Sequence, residues 1–290
     1  MSYPCEMAGV AVVTDSTASL SQQRTAAAGV TVIPLQVVID GSSRAEDTVP
    51  TEIVAGALRA GRPVTTSRPG PEAFAAAYAA LADRGYQAIV SAHLSRAVSG
   101  TYGAAALAAG SSSVPVTVVD TTTLAMAMGF AVLAGAAAAH RGLGAAEVAD
   151  VVSRRAAATT TYFYVESLEY LRRGGRIGAA AALLGSALSV KPLLTVSHGE
   201  IRPYERVRTA SKALARLEDL AVAAARAAAN GEVVDLAVHH LDNPSGAGRL
   251  VGHLRERIPN LAEIGVSEMS AVLGAHVGPG TLGIVVSPRV

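Results

Sequence analysis

Val10 to Val13 is a compact apolar run that stops at T-D-S-T, the pattern of a buried strand running into a loop. Ser16 or Thr17 is placed to cap a helix over Ala18 to Ala28. Val30 to Ile39 predicts a second strand, which Pro34 makes an edge or a bulged one, and Asp40-Gly41 predicts a turn. Pro50 to Ala60 and Glu72 to Arg84 read as helices, separated by Pro63 to Pro71, a predicted loop with three prolines. A short strand at Ala88 to Ser91 leads through S-A-H-L-S-R-A-V-S-G-T-Y into an Ala-rich helix. Val114 to Val119 is a strand ending at Asp120, and a long uncharged helix follows. Strand, loop and helix thus alternate, as in a parallel sheet with helices on both faces. Ligands in such sheets sit beyond the carboxyl ends of the strands. Those ends read T-D-S-T, S-A-H-L-S and D-T-T-T, rich in hydroxyls and poor in catalytic nitrogen or sulfur.

The pattern changes after residue 158. Glu166 to Arg173 forms a short amphipathic segment with Leu168 and Leu171 apolar, which Gly174 and Gly175 stop as a left-handed glycine cap would. V-K-P-L-L-T-V and I-R-P-Y-E-R-V-R-T, joined at His198-Gly199, predict a hairpin. A helix over Ser211 to Ala229, a strand over Val233 to His239 and a helix over Ser245 to Glu256 follow. The end, E-M-S-A-V-L-G-A-H-V-G-P-G-T-L-G-I-V-V, predicts two strands joined by a glycine loop. The expected class is therefore α/β with two domains: a parallel-sheet α/β domain over 1–158 and a mixed α+β domain over 159–290, with a ligand cleft between them.

Composition narrows the function classes. Half of the 290 residues are hydrophobic and 16% are charged, which excludes general disorder. A net charge of +1 gives no global field for nucleic acid. One cysteine, Cys5, excludes an internal disulfide framework and suits a reducing compartment. The start of the chain has no basic segment of the kind a signal peptide carries, so a cytoplasmic location is expected. Thr121 to Ala139 is uncharged, but its Thr, Ala and Gly suit a closely packed internal helix better than a lipid-facing one.

Several motifs can be weighed on chemistry. Gly278 to Gly283 matches GxGxxG, yet only seven residues follow, and they read as a strand. The chain has no P-loop and no G-x-S-x-G elbow. His239, His240 and Asp242 lie together, but adjacent histidines on a strand point to opposite faces, so no metal is expected. What stands out is hydroxyl groups beside free backbone: Thr66-Ser67, Ser95, Ser99-Gly100-Thr101-Tyr102, and His276 next to Gly-Pro-Gly. These serve either as turns and helix caps or as a site for a carboxylate or phosphate. Arg172, Arg173 and Arg176 crowd one helix end, as a basic cap or as an anion or partner contact.

With T-D-S-T, T-T-S-R-P, S-G-T-Y, V-V-D-T, L-E-Y-L-R-R-G-G-R-I, K-P-L-L, R-V-R-T and G-A-H-V-G-P-G in this order from Val10 to Val286, the chain resembles the DegV family. Arg68 replaces that family's usual Gln, and H-L-S-R-A-V lengthens the loop before S-G-T-Y. The resemblance implies two α/β domains with a long-chain fatty acid buried between them. It implies the role of acyl-binding subunit of a bacterial fatty-acid kinase, whose separate ATP-binding subunit makes the acyl phosphate, with no cofactor of its own. By motif position Thr66, Ser99 and His276, with Arg176, hold the carboxylate, and Ser67, Ser95, Gly100 and Thr101 are further candidates. Arg172, Arg173 and Arg208 fall to partner docking. Glu166 to Arg208 carries seven Lys or Arg against four Glu, a local +3 that suits a kinase subunit or transient contact with a membrane surface. Two other readings stay open: a stand-alone lipid-binding regulatory protein, and an acyl hydrolase using Ser99 with His276, which lacks an obvious acid to orient the histidine.

Overall fold

A computed structural model describes residues 9–183, 191–228 and 232–289. Val10–Asp15 (β1) is the buried strand the pattern predicts, and Thr31–Ile33 (β2), Ala88–His93 (β6) and Val116–Asp120 (β7) join it in a parallel sheet of order β2-β1-β6-β7. Its crossovers use Gln22–Ala27 (α1), Pro71–Asp83 (α3) and Thr101–Ala109 (α4). The single helix expected over Ala18 to Ala28 is instead a 3-10 turn at Ser16–Ala18, capped by Asp15, followed by α1, capped by Ser21.

The predicted strand over Val30 to Ile39 is two strands. Pro34 has no N–H to give a ladder, so the chain leaves the parallel sheet there. Leu35 donates its N–H to Ser16 Oγ at 2.9 Å, and Gln36–Ile39 (β3) enters a separate antiparallel sheet with Ser42–Ala45 (β4) and Val64–Ser67 (β5). The proline-rich segment expected as a loop therefore contains β5, because Pro63, Pro69 and Pro71 all flank the strand and none occupies a ladder position. Thr51–Arg59 (α2) packs on this small sheet.

Ala125–His140 (α5) and Ala145–Ala158 (α6) pack together against the parallel sheet. No helix among the described residues is long and apolar enough to cross a membrane. Beyond α6 comes a six-stranded sheet of order β10-β9-β8-β13-β11-β12, built from Thr160–Tyr164 (β8), Lys191–Ser197 (β9), Glu200–Val207 (β10), Val234–His240 (β11), Leu261–Glu268 (β12) and Leu282–Pro288 (β13). The β9–β10 hairpin turns on His198 and Gly199, both at positive φ. Only the β11–β12 pair is parallel. Residues 184–190 and 229–231, which include the predicted start of the hairpin at Val190 and the end of the helix at Ala229, lie outside the described residues.

Alternation along these strands decides what each face meets. Tyr164, Leu193, Leu236, Val238, Ile284 and Val286 pack under Ala210–Ala227 (α8) and Pro244–Arg257 (α9). Thr161, Phe163, Ala237, His239, Gly283 and Val285 face the other way, towards α5 and a short helix, Ala271–Val277 (α10). That helix replaces the first of the two strands expected at the end of the chain. Six of its seven residues are buried, so no 3.6-residue period marks it in the sequence. Ser270 caps it, and Glu46 from the first half of the chain accepts the Val272 N–H at 2.5 Å.

Candidate ligand-binding site

An apolar cavity lies where the carboxyl ends of the parallel strands meet the inner face of the mixed sheet and α10. Leu35, Leu94, Val98 and Leu124 enter from the first sheet, Phe163, Val196 and Ile201 from the second, and Val272, Leu273 and Val277 from α10. Among the described residues no aspartate or glutamate lines it, whereas Arg68 and Arg176 both do. The expected cleft is thus a cavity between two sheets.

Its polar group is built by elements from three parts of the chain. β5 supplies Thr66, whose Oγ1 lies 2.8 Å from His276 Nε2 at the end of α10. Burial first, and the neighbouring Arg176 second, push the His276 imidazole down to about 4, so the ring is neutral at pH 7. Its Nδ1 is buried without a partner against Gly174. A bare Nδ1 is the cheaper tautomer there, which makes Nε2–H the donor to Thr66 and leaves the Thr66 hydroxyl proton for the cavity. Arg176 donates Nε to Val98 O at 3.0 Å and Nη1 to Gly174 O at 2.7 Å and, among the described residues, has no carboxylate partner. Ser99 also lines the cavity, its hydroxyl 2.9 Å from that of Thr101.

The two long motifs of the second half pack as one unit. A Cβ on Gly174 would overlap His276 Nδ1, one on Gly278 would overlap the Tyr170 ring, and one on Gly280 would overlap Cγ of Glu166. L-E-Y-L-R-R-G-G and H-V-G-P-G need their glycines because each backbone lies flat on the other's side chains. Of the glycine pair, only Gly175 is left-handed, at φ +68°, while Gly174 stays helical at the end of Glu169–Arg173 (α7).

The remaining candidates separate. Ser67 and Arg68 line the cavity, with Arg68 lying across Gly100. Ser95, Gly100 and Thr101 do not line it. Ser95 is buried and donates to Gly199 O at 2.8 Å, tying the β9–β10 turn to the first half, and Thr101 is buried beneath Ser99. Arg172 and Arg173 are exposed and share Glu169, which they hold down to about 2. Arg208 is exposed beyond β10. Ser99 has no hydrogen bond to His276, so the Ser/His pair of a hydrolase is not assembled. Among the described residues there is no cluster of three or more metal-ligating side chains.

Sequence reasoning missed a second network. Asp15 accepts from Thr17 N, Thr17 Oγ1 and Leu94 N and lies 3.0 Å from His93 Nδ1. His93 Nε2 lies 2.7 Å from Ser91 Oγ, which accepts from Tyr78 at 2.8 Å. This Asp-His-Ser order resembles a catalytic triad, but all three side chains are fully buried and Ser91 and His93 do not reach the cavity. It pins β1, β6 and α3 beneath the site. Only the proximity of these residues after folding reveals it.

His239, like His276, is buried and depressed to about 4, by burial first. Unfolded, both titrate near 6.5. The unfolded chain therefore binds more protons between about 6.5 and 4, and stability should fall as pH is lowered through that window. Glu46, whose carboxyl burial raises above 4.5, opposes this. Urea midpoints measured from pH 7 to pH 5 should decline, and His276→Asn should flatten the slope.

The profile of the DegV family, described as "uncharacterised protein, DegV family", matches residues 9–289. A DegV domain-containing protein of Streptomyces coelicolor is 54% identical over 97% of this chain and 99% of its own. Among solved structures, a fatty-acid-binding DegV family protein from Thermus thermophilus superposes with a TM-score of 0.89 at 31% identity, over 97% of this chain and 99% of that one. DegV from Bacillus subtilis, a fatty acid binding protein, gives 0.88 at 31% identity with the same coverage. With the fold, the order of motifs and the relatives in agreement, the chain belongs to the DegV family.

Proposed function

We propose that this protein binds a long-chain fatty acid and presents its carboxylate to a separate ATP-dependent kinase subunit, without chemistry of its own. The observation that carries the reading is a neutral Thr66–His276 pair at the wall of a cavity with no carboxylate of its own and with Arg176 close by. Two fatty-acid-binding family members with the same fold support it. Thr66, Ser99 and His276, with Arg176 and the adjacent Ser67, hold the carboxylate. Burying about 14 methylenes at about 0.8 kcal/mol each yields on the order of 11 kcal/mol before association costs, so the tail supplies affinity and the polar group sets position. Two donors of Arg176 already serve backbone carbonyls, and with Nε taken the side-on bidentate fork is closed to the ligand. The carboxylate oxygens then stay nucleophilic enough to attack a γ-phosphate.

Residues 1–158 and 159–290 act in this reading as two domains closing on the ligand in the cytoplasm. Arg172 and Arg173, exposed beside this site, and Arg208, exposed at the far end of β10, form the docking face in this reading, either for the kinase subunit or briefly for anionic lipid headgroups. Mass spectrometry of the natively purified protein should find a co-purified C14–C18 acid; an empty site sinks the proposal. With a fatty-acid kinase subunit and ATP the acid should turn over, and Arg172→Glu with Arg173→Glu should lower turnover while leaving lipid content unchanged. No turnover with bound lipid would favour the stand-alone regulatory protein.

A further inference from the structure

The cavity wall carries two polar groups that the carboxylate site does not use. On the mixed sheet, Phe163, Gly283 and His239 form one cross-strand row, and Thr161 lies two residues from Phe163 on the same face of β8. All four line the cavity. Gly283 leaves the row open, since a Cβ there would rest against Phe163, Met269 and His239 at 3.4–3.7 Å. A glycine inside a strand marks a place where something must approach the backbone closely.

Thr161 and His239 are 7% and 2% exposed, and Thr161 Oγ1 and His239 Nδ1 are both buried without a hydrogen-bond partner. The Met126 N–H donates to His239 Nε2 at 3.2 Å, which fixes the proton of the neutral ring on Nδ1. The backbone of Ser267, its partner on β12, lies nearby but outside hydrogen-bond geometry. Thr161 accepts through its carbonyl from Thr195 Oγ1 at 2.8 Å, but its own hydroxyl stays unmatched. Neither residue bonds to Thr66, Ser99, Arg176 or His276. A plain alkyl chain would leave one donor and one hydroxyl unsatisfied in an apolar wall, and buried polar groups are rarely left so.

We propose that Thr161 and His239 recognise an oxygen on the acyl chain, so that the cavity takes a hydroxy fatty acid in preference to the unsubstituted one. The two residues sit two strands and two positions apart, so a chain hydroxyl at one depth accepts from His239 Nδ1–H and a hydroxyl at another depth exchanges a hydrogen bond with Thr161 Oγ1. The proposal rests on the reading of this cavity as an acyl site. It is tested by calorimetric titration of the delipidated full chain with stearate, 10-hydroxystearate and 12-hydroxystearate. At least one hydroxy isomer should bind about tenfold more tightly than stearate. Thr161→Val, which keeps the shape, should bring the isomer that Thr161 holds near parity with stearate without weakening stearate, and His239→Leu should do the same for an isomer that His239 holds. Stearate binding as well as both hydroxy isomers, or a preference that survives both substitutions, overturns the proposal. Should none of the three acids bind, the acyl-site reading itself fails and this one with it.

Discussion

Gly174→Ala should weaken palmitate binding by one to two orders of magnitude and cost about 1–3 kcal/mol of stability. The backbone at Gly174 is helical, so alanine fits its dihedrals. The added methyl overlaps His276 Nδ1 and presses on Tyr170 O, and the ring must leave the Thr66 hydroxyl. Hydrogen bonds to a charged group contribute about 1.5–3 kcal/mol each, which sets the expected loss. Gly175→Ala is the matched control. It lies in open space but at φ +68°, so it should cost about 1–2 kcal/mol of stability and leave affinity intact. Urea unfolding should show a similar loss in both variants, whereas titration should show lost affinity in Gly174→Ala alone. Wild-type affinity in Gly174→Ala would remove His276 from the head-group site.

The largest stability loss is expected from Asp15→Ala, about 3–5 kcal/mol in urea unfolding, because each buried donor left without its acceptor costs about 1–3 kcal/mol. The change strands the Leu94 and Thr17 N–H groups and leaves His93 without its orienting acceptor, all in the core. Ser91→Ala removes only the outer link to Tyr78 and should cost less. A loss below about 1 kcal/mol in Asp15→Ala would mean that the network is not what fixes β1 to β6.

Where the sequence and the fold agree, one face of an element is apolar and the other polar, or a turn residue is unambiguous. The alternation that built the parallel sheet, the His198-Gly199 hairpin and α8 and α9 are of this kind. The misses occur where burial is complete or a proline lies just outside an element. Helix α10 is apolar all round, so its period vanished; β5 hid between flanking prolines; β12 has a largely half-exposed pattern without a strong apolar run. Thr66, Ser99, Arg176 and His276 were legible through motifs, and all four line the cavity. Ser95 and Thr101 carry the same hydroxyls in the same loop, yet they face inward, Ser95 to hold the β9–β10 turn and Thr101 to meet the Ser99 hydroxyl from below. Direction, which only tertiary packing sets, separates the two groups. Thr161 and His239 had no motif around them because their role follows from cross-strand register.

The head-group residues come from three different sheets or their loops: Ser99 follows β6, Thr66 lies on β5, and Arg176 and His276 belong to segments packed on the mixed sheet. Each half of the chain supplies only two of the four residues, and the Thr66–His276 contact forms only when the halves meet. On the proposed function, a bound fatty acid would therefore recognise only the fully assembled molecule, and its binding free energy would add to the native state alone, by about 2.7 kcal/mol at a hundredfold excess over Kd. In a cell poor in free fatty acid the empty protein is the less protected form, and its turnover by proteases would make its abundance follow the supply of its own ligand.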